Sequence, residues 1–449
     1  MERKNYYALD VAKFISAFLV ICIHTAPLAT ISLDANFILV QIIARLAVPL
    51  FFIISGFLFF TKINTNREWN DAENRYQLKH YLYRIFKIYI IWTILYLPFS
   101  YLLIRGQNDF GMALAQYIKD FFFNGSYYHL WFLPALLFGM CIVYFLRSHF
   151  SMRMTIGISM VLYLIGMAGN IYPEVLESIP GISTVYDAYT SIFSTTRNGF
   201  FFAPIFLSLG AYYAQHRREV SHNSKMTLLG FVVSFAGLCI ECFYLRKAGF
   251  MHDLASMYLF LIPAVSFLFA FLLQLEWRDR PIYKMLRILS LLIYVSHIMF
   301  VVVLFALLPN AGNLLIYVLS CILSLVFCGP LLDNGGLMFA PTGPIHSICF
   351  LHFILFFKIR APDRHIIPPI HVMSALNKNE LKNTTGNSNL NNLPTTSTRI
   401  LMTSLKDINI VIIPKATNNI PIFSLFFIYY SPITLLSPSV ILHCAPVRP

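Results

Sequence analysis

A lysine and a histidine stand inside the first apolar segment of the chain, where such residues are costly. The segment LDVAKFISAFLVICIHT carries Lys13 and His24, eleven positions apart. At about 100° per residue, both side chains lie on one helix face, about 16 Å apart along the axis. A cation at a bilayer centre costs about 2.5–3.5 kcal/mol, and an imidazole exchanges protons at neutral pH. His24 is therefore a candidate general base; a histidine that only packs against a neighbouring helix is the alternative.

The composition places these residues in a membrane protein. Apolar residues make up 58% of the chain and charged residues 12%, against about 25% charged residues in a soluble domain. A membrane-spanning helix needs about 20 mostly apolar residues. The sequence predicts an all-α, polytopic membrane helix bundle in the lipid bilayer, of about ten transmembrane helices, at residues 11–31, 39–61, 82–104, 130–147, 154–170, 199–215, 227–245, 255–275, 288–308 and 312–328.

The net charge of +13 predicts an orientation rather than a nucleic-acid partner. Lysines and arginines concentrate in alternate connections between the spans, including residues 62–87, 217–225 and 278–287. Because cytoplasmic connections carry the excess of basic residues, we expect a cytoplasmic N-terminus in the plasma membrane.

Two further polar residues stand on the opposite, outer side. His129 follows the turn sequence Asn124-Gly125-Ser126, where a loop meets the fourth span. Arg197 begins the sixth span on a side with few cations, so membrane orientation explains it poorly. The ninth span contains a second deep histidine, His297.

Some patterns predict packing rather than chemistry. Pro49 is expected to kink the second span, and Gly56 to permit close helix approach. Cys239 and Cys242 form a CxxC pair inside an apolar helix, where a small hydrophobic role is more typical than a redox or zinc site. We expect no metal site.

Six segments occur in one order: LDVAKFISAFLVICIHT, FFIISGFLF, YRIFKIY, YYHLWFLPALL, RNGFFFAPIFLSLG and IYVSHIMF. This order resembles the acyltransferase-3 family of integral membrane acyltransferases over residues 5–328. The resemblance implies transfer of an acyl group, commonly acetyl, from a cytoplasmic donor to a carbohydrate or other acceptor at the outer face. It implies no bound cofactor beyond acyl-CoA as the donor.

The resemblance also implies roles for individual residues. His24 matches the family's essential first-span histidine, and Arg84 and His129 match conserved positions of the third and fourth spans. Lys13 occupies a position that is more often arginine, and a lysine loses bidentate phosphate recognition. We expect His24 to be catalytic, Lys13 and Arg84 to bind the donor, and His129 and Arg197 to line the acceptor side.

Two alternative functions remain open. The first and sixth segments also resemble the membrane domain of VanT-type serine/alanine racemases, so one alternative is a domain that handles or transports L-serine and has lost its PLP-dependent racemase domain. A small-molecule transporter is the other alternative. Residues 329–449 form a low-complexity tail, which is either genuine and disordered or an out-of-frame translation.

Overall fold

A computed structural model describes residues 5–64, 68–69, 71–107, 109–216, 224–252 and 254–333, with side chains through Cys328. These residues contain helices and no strand. The helices are α1 (Tyr7–Thr25), α2 (Leu33–Phe37), α3 (Ala47–Phe60), α4 (Ala72–Arg105), α5 (Phe110–Phe123), α6 (Phe132–His149), α7 (Met152–Ile171), α8 (Pro173–Ser178), α9 (Ile182–Ile192), α10 (Ala203–Gln215), α11 (Ser224–Lys247), α12 (Leu261–Gln274), α13 (Pro281–Leu307) and α14 (Asn313–Asp333).

Every predicted span contains helix, which confirms the all-α bundle. Within the described ranges, seven helical segments are long and apolar enough to cross a membrane: α1, α2–α3, α4, α6, α7, α11 and α13. The other three predicted spans contain α10, α12 and α14, and α10 has only 13 residues. At 1.5 Å per residue α10 is about 20 Å long, shorter than a bilayer core of about 30 Å. The count of ten spans therefore stays a prediction.

Non-helical backbone precedes α10 at residues 193–202 and precedes α12 at residues 250–252 and 254–260. Within a membrane such backbone needs protein partners for its N–H and C=O groups. Asn198 supplies them to the first segment, because its Oδ1 accepts from the N–H groups of Phe200 and Phe201 at 2.9 and 3.2 Å. Asn170 of α7 supports the second segment, accepting from the backbone N–H of Met257 at 3.0 Å.

The second predicted span is irregular in its first half. A π-helical stretch, Ile38–Ile43, and a 3₁₀ turn, Ala44–Leu46, connect α2 to α3. Pro49 lies in the first turn of α3, directly after this stretch. Because proline has no N–H to donate, it suits the first turn of a helix. The irregular stretch lies just before Pro49, and the kink at Pro49 itself stays a prediction.

The central packing contact joins α3 to α10. A Cβ added to Gly56 of α3 would lie 2.5 Å from the carbonyl oxygen of Leu207 on α10, and one added to Gly210 would clash with the carbonyl of Ile53. Both helices therefore need glycine where their backbones meet. The predicted role of Gly56 in close helix approach is confirmed.

The end of the described chain has two features. Helix α13 ends at Leu307, and in the turn that follows the N–H of Ala311 donates to the carbonyl of Leu308 at 3.0 Å. Helix α14 continues to Asp333, five residues beyond the predicted end of its span at residue 328. The division at residue 329 stays a prediction, and the tail that it defines lies outside the described residues from 334 onward.

Candidate functional site

Helix α1 carries both of the first-span candidate residues. Lys13 lies in its second turn and His24 in its last, so the predicted helix face contains both residues. The side chain of Lys13 is 13% exposed, and His24 is partly exposed. We call the two parts of the bundle around these residues the Lys13 end and the His24 end.

An ion-pair cluster forms the Lys13 end. The Nζ of Lys13 lies 2.9 Å from Oδ1 of Asp10, one turn earlier on α1. Arg287 of α13 reaches the same carboxylate, with Nη2 at 2.7 Å from Oδ2 and Nε at 3.0 Å from Oδ1. Arg84 of α4 is exposed and acts on Lys13 electrostatically. Two cations, Lys13 and Arg287, therefore share one carboxylate.

Of the two predicted donor-binding residues, Lys13 lies in this cluster, together with two residues that the prediction left out. Asp10 stands three positions before Lys13 on one helix, a spacing at which side chains contact each other, so the sequence contained a signal for this pair. Arg287 is far away along the chain, and only the packing of α13 against α1 brings it to Asp10.

Three histidines from three segments meet at the His24 end. The ring centroid of His24 lies 5.4 Å from that of His297, and the centroid of His297 lies 5.3 Å from that of His129. The Tyr128 ring packs edge-on against His24 at 5.3 Å. The structure therefore brings together the predicted catalytic and acceptor-side histidines, and places His297 between them.

Hydrogen bonds fix the tautomers of two of these rings. Nδ1 of His297 lies 2.8 Å from the carbonyl oxygen of Tyr294 and 3.1 Å from that of Ile293. Nε2 of His129 lies 3.2 Å from the carbonyl oxygen of Val295. Because a carbonyl only accepts, each of these nitrogens carries a hydrogen. The neutral rings therefore have a bare lone pair on Nε2 of His297 and on Nδ1 of His129.

Three ring nitrogens of this cluster lack hydrogen-bond partners. Nε2 of His297, Nδ1 of His129 and Nδ1 of His24 are buried without a hydrogen-bond partner. A buried polar atom without a partner costs about 1–3 kcal/mol. Three such atoms in one cluster are typical of a place prepared for a ligand or for a rearrangement.

The loop that presents His129 depends on a glycine and on α4. Gly125 has φ +96°, and a Cβ there would lie 2.5 Å from the backbone nitrogen of Trp131. From α4, the hydroxyl of Tyr89 accepts from the N–H of Ser126 at 2.8 Å, and Thr93 Oγ1 pairs with Ser126 Oγ at 2.6 Å. The predicted turn at residues 124–126 is confirmed and is anchored at two points.

Arg197 joins the His24 end through Trp131. Its guanidinium carbon lies 4.7 Å from the centroid of the Trp131 ring, and its charge acts on His24. In the described part of the chain Arg197 has no carboxylate partner, and its Nε is buried without a hydrogen bond. Such a cation suits an anionic group of a ligand.

The segment that holds Arg197 is tied to α9. The side-chain amide of Asn198 donates to the hydroxyl of Tyr189, which in turn donates to the carbonyl of Thr195 at 3.1 Å. Burial raises the pKa of Tyr189 above its ordinary value, so the hydroxyl stays a neutral donor. No pattern in the sequence indicates this support.

Comparison with known proteins decides the family. The model of an acyltransferase domain, Acyl_transf_3, matches residues 6–333. The chain belongs to the acyltransferase-3 family. This confirms the resemblance of the six segments. No solved structure matches the chain.

Several relatives of this acyltransferase-3 chain carry racemase names. An "Amino-acid racemase" of Enterococcus faecalis is 31% identical over 296 residues, which cover 66% of this chain and 41% of the relative. A "Serine/alanine racemase" of Enterococcus gallinarum is 33% identical over 292 residues, 64% of this chain and 40% of the relative. The chain thus matches about two fifths of the length of these curated relatives.

Arg45 is a second buried arginine of the acyltransferase-3 domain. It lies in the irregular stretch before α3 and donates to Oε1 of Gln41 from Nε at 2.9 Å and from Nη2 at 2.6 Å. The sequence-based site left Arg45 out, although the predicted topology puts it near the outer start of the second span, where membrane orientation explains a cation poorly.

Among the described residues, the cysteines and histidines form no metal-binding group. No set of three histidine, cysteine or carboxylate side chains in the described ranges has an arrangement that could hold a metal ion. Cys239 and Cys242 are free thiols, and Sγ of Cys242 lies 3.8 Å from the carbonyl oxygen of Gln41. Cys242 thus packs inside the bundle as a small buried side chain.

Proposed function

We propose that this acyltransferase-3 protein moves an acyl group, acetyl in the simplest case, from cytoplasmic acyl-CoA to a hydroxyl or amine of an envelope carbohydrate or another acceptor at the outer face of the plasma membrane. The observation that carries the proposal is the arrangement along α1. A partly exposed imidazole stands about 16 Å from a cationic cluster on the same helix face, and family membership supplies the reaction class.

The Lys13 end is the proposed donor site. Its two cations on one carboxylate suit the phosphates of CoA, and Arg84 is exposed to reach them. The excess of basic residues in alternate connections supports a cytoplasmic location for this end, where acyl-CoA is found. The long pantetheine arm of CoA then carries the thioester toward His24.

The proposed reaction uses His24 as general base. The imidazole takes the proton of the acceptor's O–H or N–H, and the acceptor atom attacks the thioester carbonyl carbon. The C–S bond breaks, and the CoA thiolate takes the proton back from the imidazolium. Arg197 and His129 line the acceptor side, where the cation of Arg197 holds an anionic group or the developing oxyanion.

The test measures acyl groups on envelope glycans. Cells without the gene are complemented with the wild type, His24→Ala or His149→Ala, and the base-labile acetate of purified envelope glycans is quantified. His149 is exposed at the end of α6 and provides the matched control. We expect acetate to rise with the wild type and with His149→Ala only. Acetate that is independent of the gene contradicts the proposed function.

Handling of serine or another small amino acid is the second candidate function. It is favoured by the stacked Arg197, which suits a carboxylate, and by relatives named as amino-acid racemases. Uptake of radiolabelled L-serine into proteoliposomes, with no acyl turnover, would favour this candidate. Arg197→Gln would then abolish uptake, whereas Arg153→Gln, the same change at an exposed arginine of α7, would retain it.

A further inference from the structure

The histidine cluster contains a donor and an acceptor that fit each other. His24 has a buried Nδ1 without a hydrogen-bond partner, whereas its Nε2 is not enclosed in this way. A base that uses Nε2 must carry its hydrogen on Nδ1. That N–H needs an acceptor inside the cluster, on the buried side of the ring.

His297 provides the adjacent acceptor. Its Nδ1–H is held by the carbonyls of Ile293 and Tyr294, which leaves the lone pair on Nε2. This Nε2 is buried without a partner, and the ring centroid lies 5.4 Å from that of His24. His297 is fully buried, so bulk water does not reach this nitrogen.

We propose that His297 is a positioning residue for His24: Nε2 of His297 accepts a hydrogen bond from Nδ1–H of His24 and so keeps the lone pair of His24 on Nε2. The inference deepens the proposed function and rests on it for what that lone pair does. Hydrogen bonds between catalytic groups are often long in unliganded enzymes and tighten in the complex. A rotation of the His24 ring would bring its Nδ1–H to Nε2 of His297.

The arrangement resembles the partner of the histidine in a catalytic triad, where a fixed acceptor selects the tautomer. Here the acceptor is a neutral imidazole, itself fixed by the backbone of α13. A neutral acceptor avoids the cost of burying a carboxylate at this depth. The acceptor on Nδ1–H also raises the basicity of Nε2, as it does for metal-bound histidines.

The first test is independent of acyl transfer. Purified full-length protein in nanodiscs is treated with diethyl pyrocarbonate, which modifies accessible, unprotonated imidazole nitrogens, and mass spectrometry follows the peptide that contains His24. We expect His297→Leu to slow modification of His24 at least about fivefold. His297→Gln, whose amide oxygen accepts a hydrogen bond, should stay within about twofold of the wild type.

Ser296→Ala is the matched control, because Ser296 neighbours His297 on α13 and is equally buried. It should react like the wild type. Equal rates for His297→Leu and the wild type overturn the inference. So does a slow rate for His297→Gln in protein whose thermal unfolding matches that of the wild type.

The second readout is kinetic. With acetyl-CoA as donor, His297→Leu should lower kcat about tenfold or more with little change in the donor KM, and His297→Gln should recover most of the loss. A raised KM with unchanged kcat contradicts a positioning role. If the wild type transfers no acyl group, the proposed function fails, while the diethyl pyrocarbonate rates still decide the role of His297.

Discussion

At the Lys13 end of α1 a buried carboxylate is paired with two cations, whereas at the His24 end three buried histidine nitrogens have no partner. Asp10 accepts from two cations, Lys13 and Arg287, and all three have partners. At the other end, Nδ1 of His24 and Nε2 of His297 are buried and have no partner. Both ends lie on α1. They differ in how many of their buried polar atoms have a partner within the protein.

This difference distinguishes a structural cluster that is complete in the free protein from a site that a ligand completes. A satisfied ion pair with spare positive charge holds helices together and still attracts an anion. Buried nitrogens without partners lower the stability of the free protein, and a hydrogen bond to a ligand or to a rotated ring removes this penalty. Substitutions at the Lys13 end should therefore change stability, and those at the His24 end should change activity.

The largest effect is expected for His24→Ala. Loss of a positioned general base lowers the rate about 10²–10⁴-fold, while removal of an unpaired side chain leaves the bundle folded. The measurement is acetyl transfer from acetyl-CoA, together with thermal unfolding in detergent. His149→Ala serves as control. Full transfer by well-folded His24→Ala protein would refute the catalytic assignment.

Asp10→Asn should give the largest loss of stability. The carboxylate has 4% side-chain exposure and links two cations. Its removal leaves those cations side by side, and breaking a buried ion pair costs about 3–5 kcal/mol. Chemical unfolding in detergent micelles measures the change.

A second ion pair provides the matched control for Asp10→Asn. Asp34 and Arg246 are 2.8 Å apart but 78% and 38% exposed, and an exposed pair contributes less than about 1 kcal/mol. If Asp34→Asn costs as much as Asp10→Asn, the Lys13 end is not a structural cluster.

Local spacing allowed part of this site to be predicted. Helix geometry alone puts Lys13 and His24 on one helix face. The sequence Asn124-Gly125-Ser126 predicts a turn, and Gly125 has the positive φ that favours glycine in such a turn. Arg287 and His297 could not be assigned, because their partners lie on other helices far along the chain. Both ends form only when α13 packs against α1 and against the loop that contains His129.

The limits on the fold prediction have a similar origin. Hydropathy detects apolar segments but not where the helix begins within them. The apolar run 199–215 includes turn residues through Phe202, and α10 begins only at Ala203. Asn198 makes that late start possible by capping the segment with its own side chain, a contact that no apolar pattern reports.

An intermediate effect is expected for Lys13→Gln. The change removes one cation from the Lys13 end, while Asp10 keeps its bonds to Arg287. We expect the KM for acetyl-CoA to rise about tenfold, equal to about 1.4 kcal/mol of binding, with little change in kcat. Lys13→Arg should retain the wild-type KM, since it keeps the charge. An unchanged KM in the glutamine variant would reduce Lys13 to a partner of Asp10.

The smallest effect is expected just beyond His24, where α1 ends. Ala26 has φ 46° and ψ 59°, the left-handed conformation, which costs a residue with a Cβ about 1–2 kcal/mol. Its N–H donates to the carbonyl of Cys22 at 2.9 Å, and its carbonyl accepts from Asn313 at 3.2 Å. These bonds hold the backbone in place whichever side chain is present.

Glycine adopts this conformation without the steric cost, so Ala26→Gly should raise the free energy of unfolding by about 1 kcal/mol. The same substitution at Ala17, buried in the middle of α1, should lower stability by about 1 kcal/mol. Chemical unfolding in detergent compares the two variants. Because neither change touches the histidine rings, acetyl transfer should stay within about twofold in Ala26→Gly. A large loss of transfer would mean that the strained turn itself aims His24 into the cluster, and that the unpaired state of the His24 end depends on the backbone as well as on its side chains.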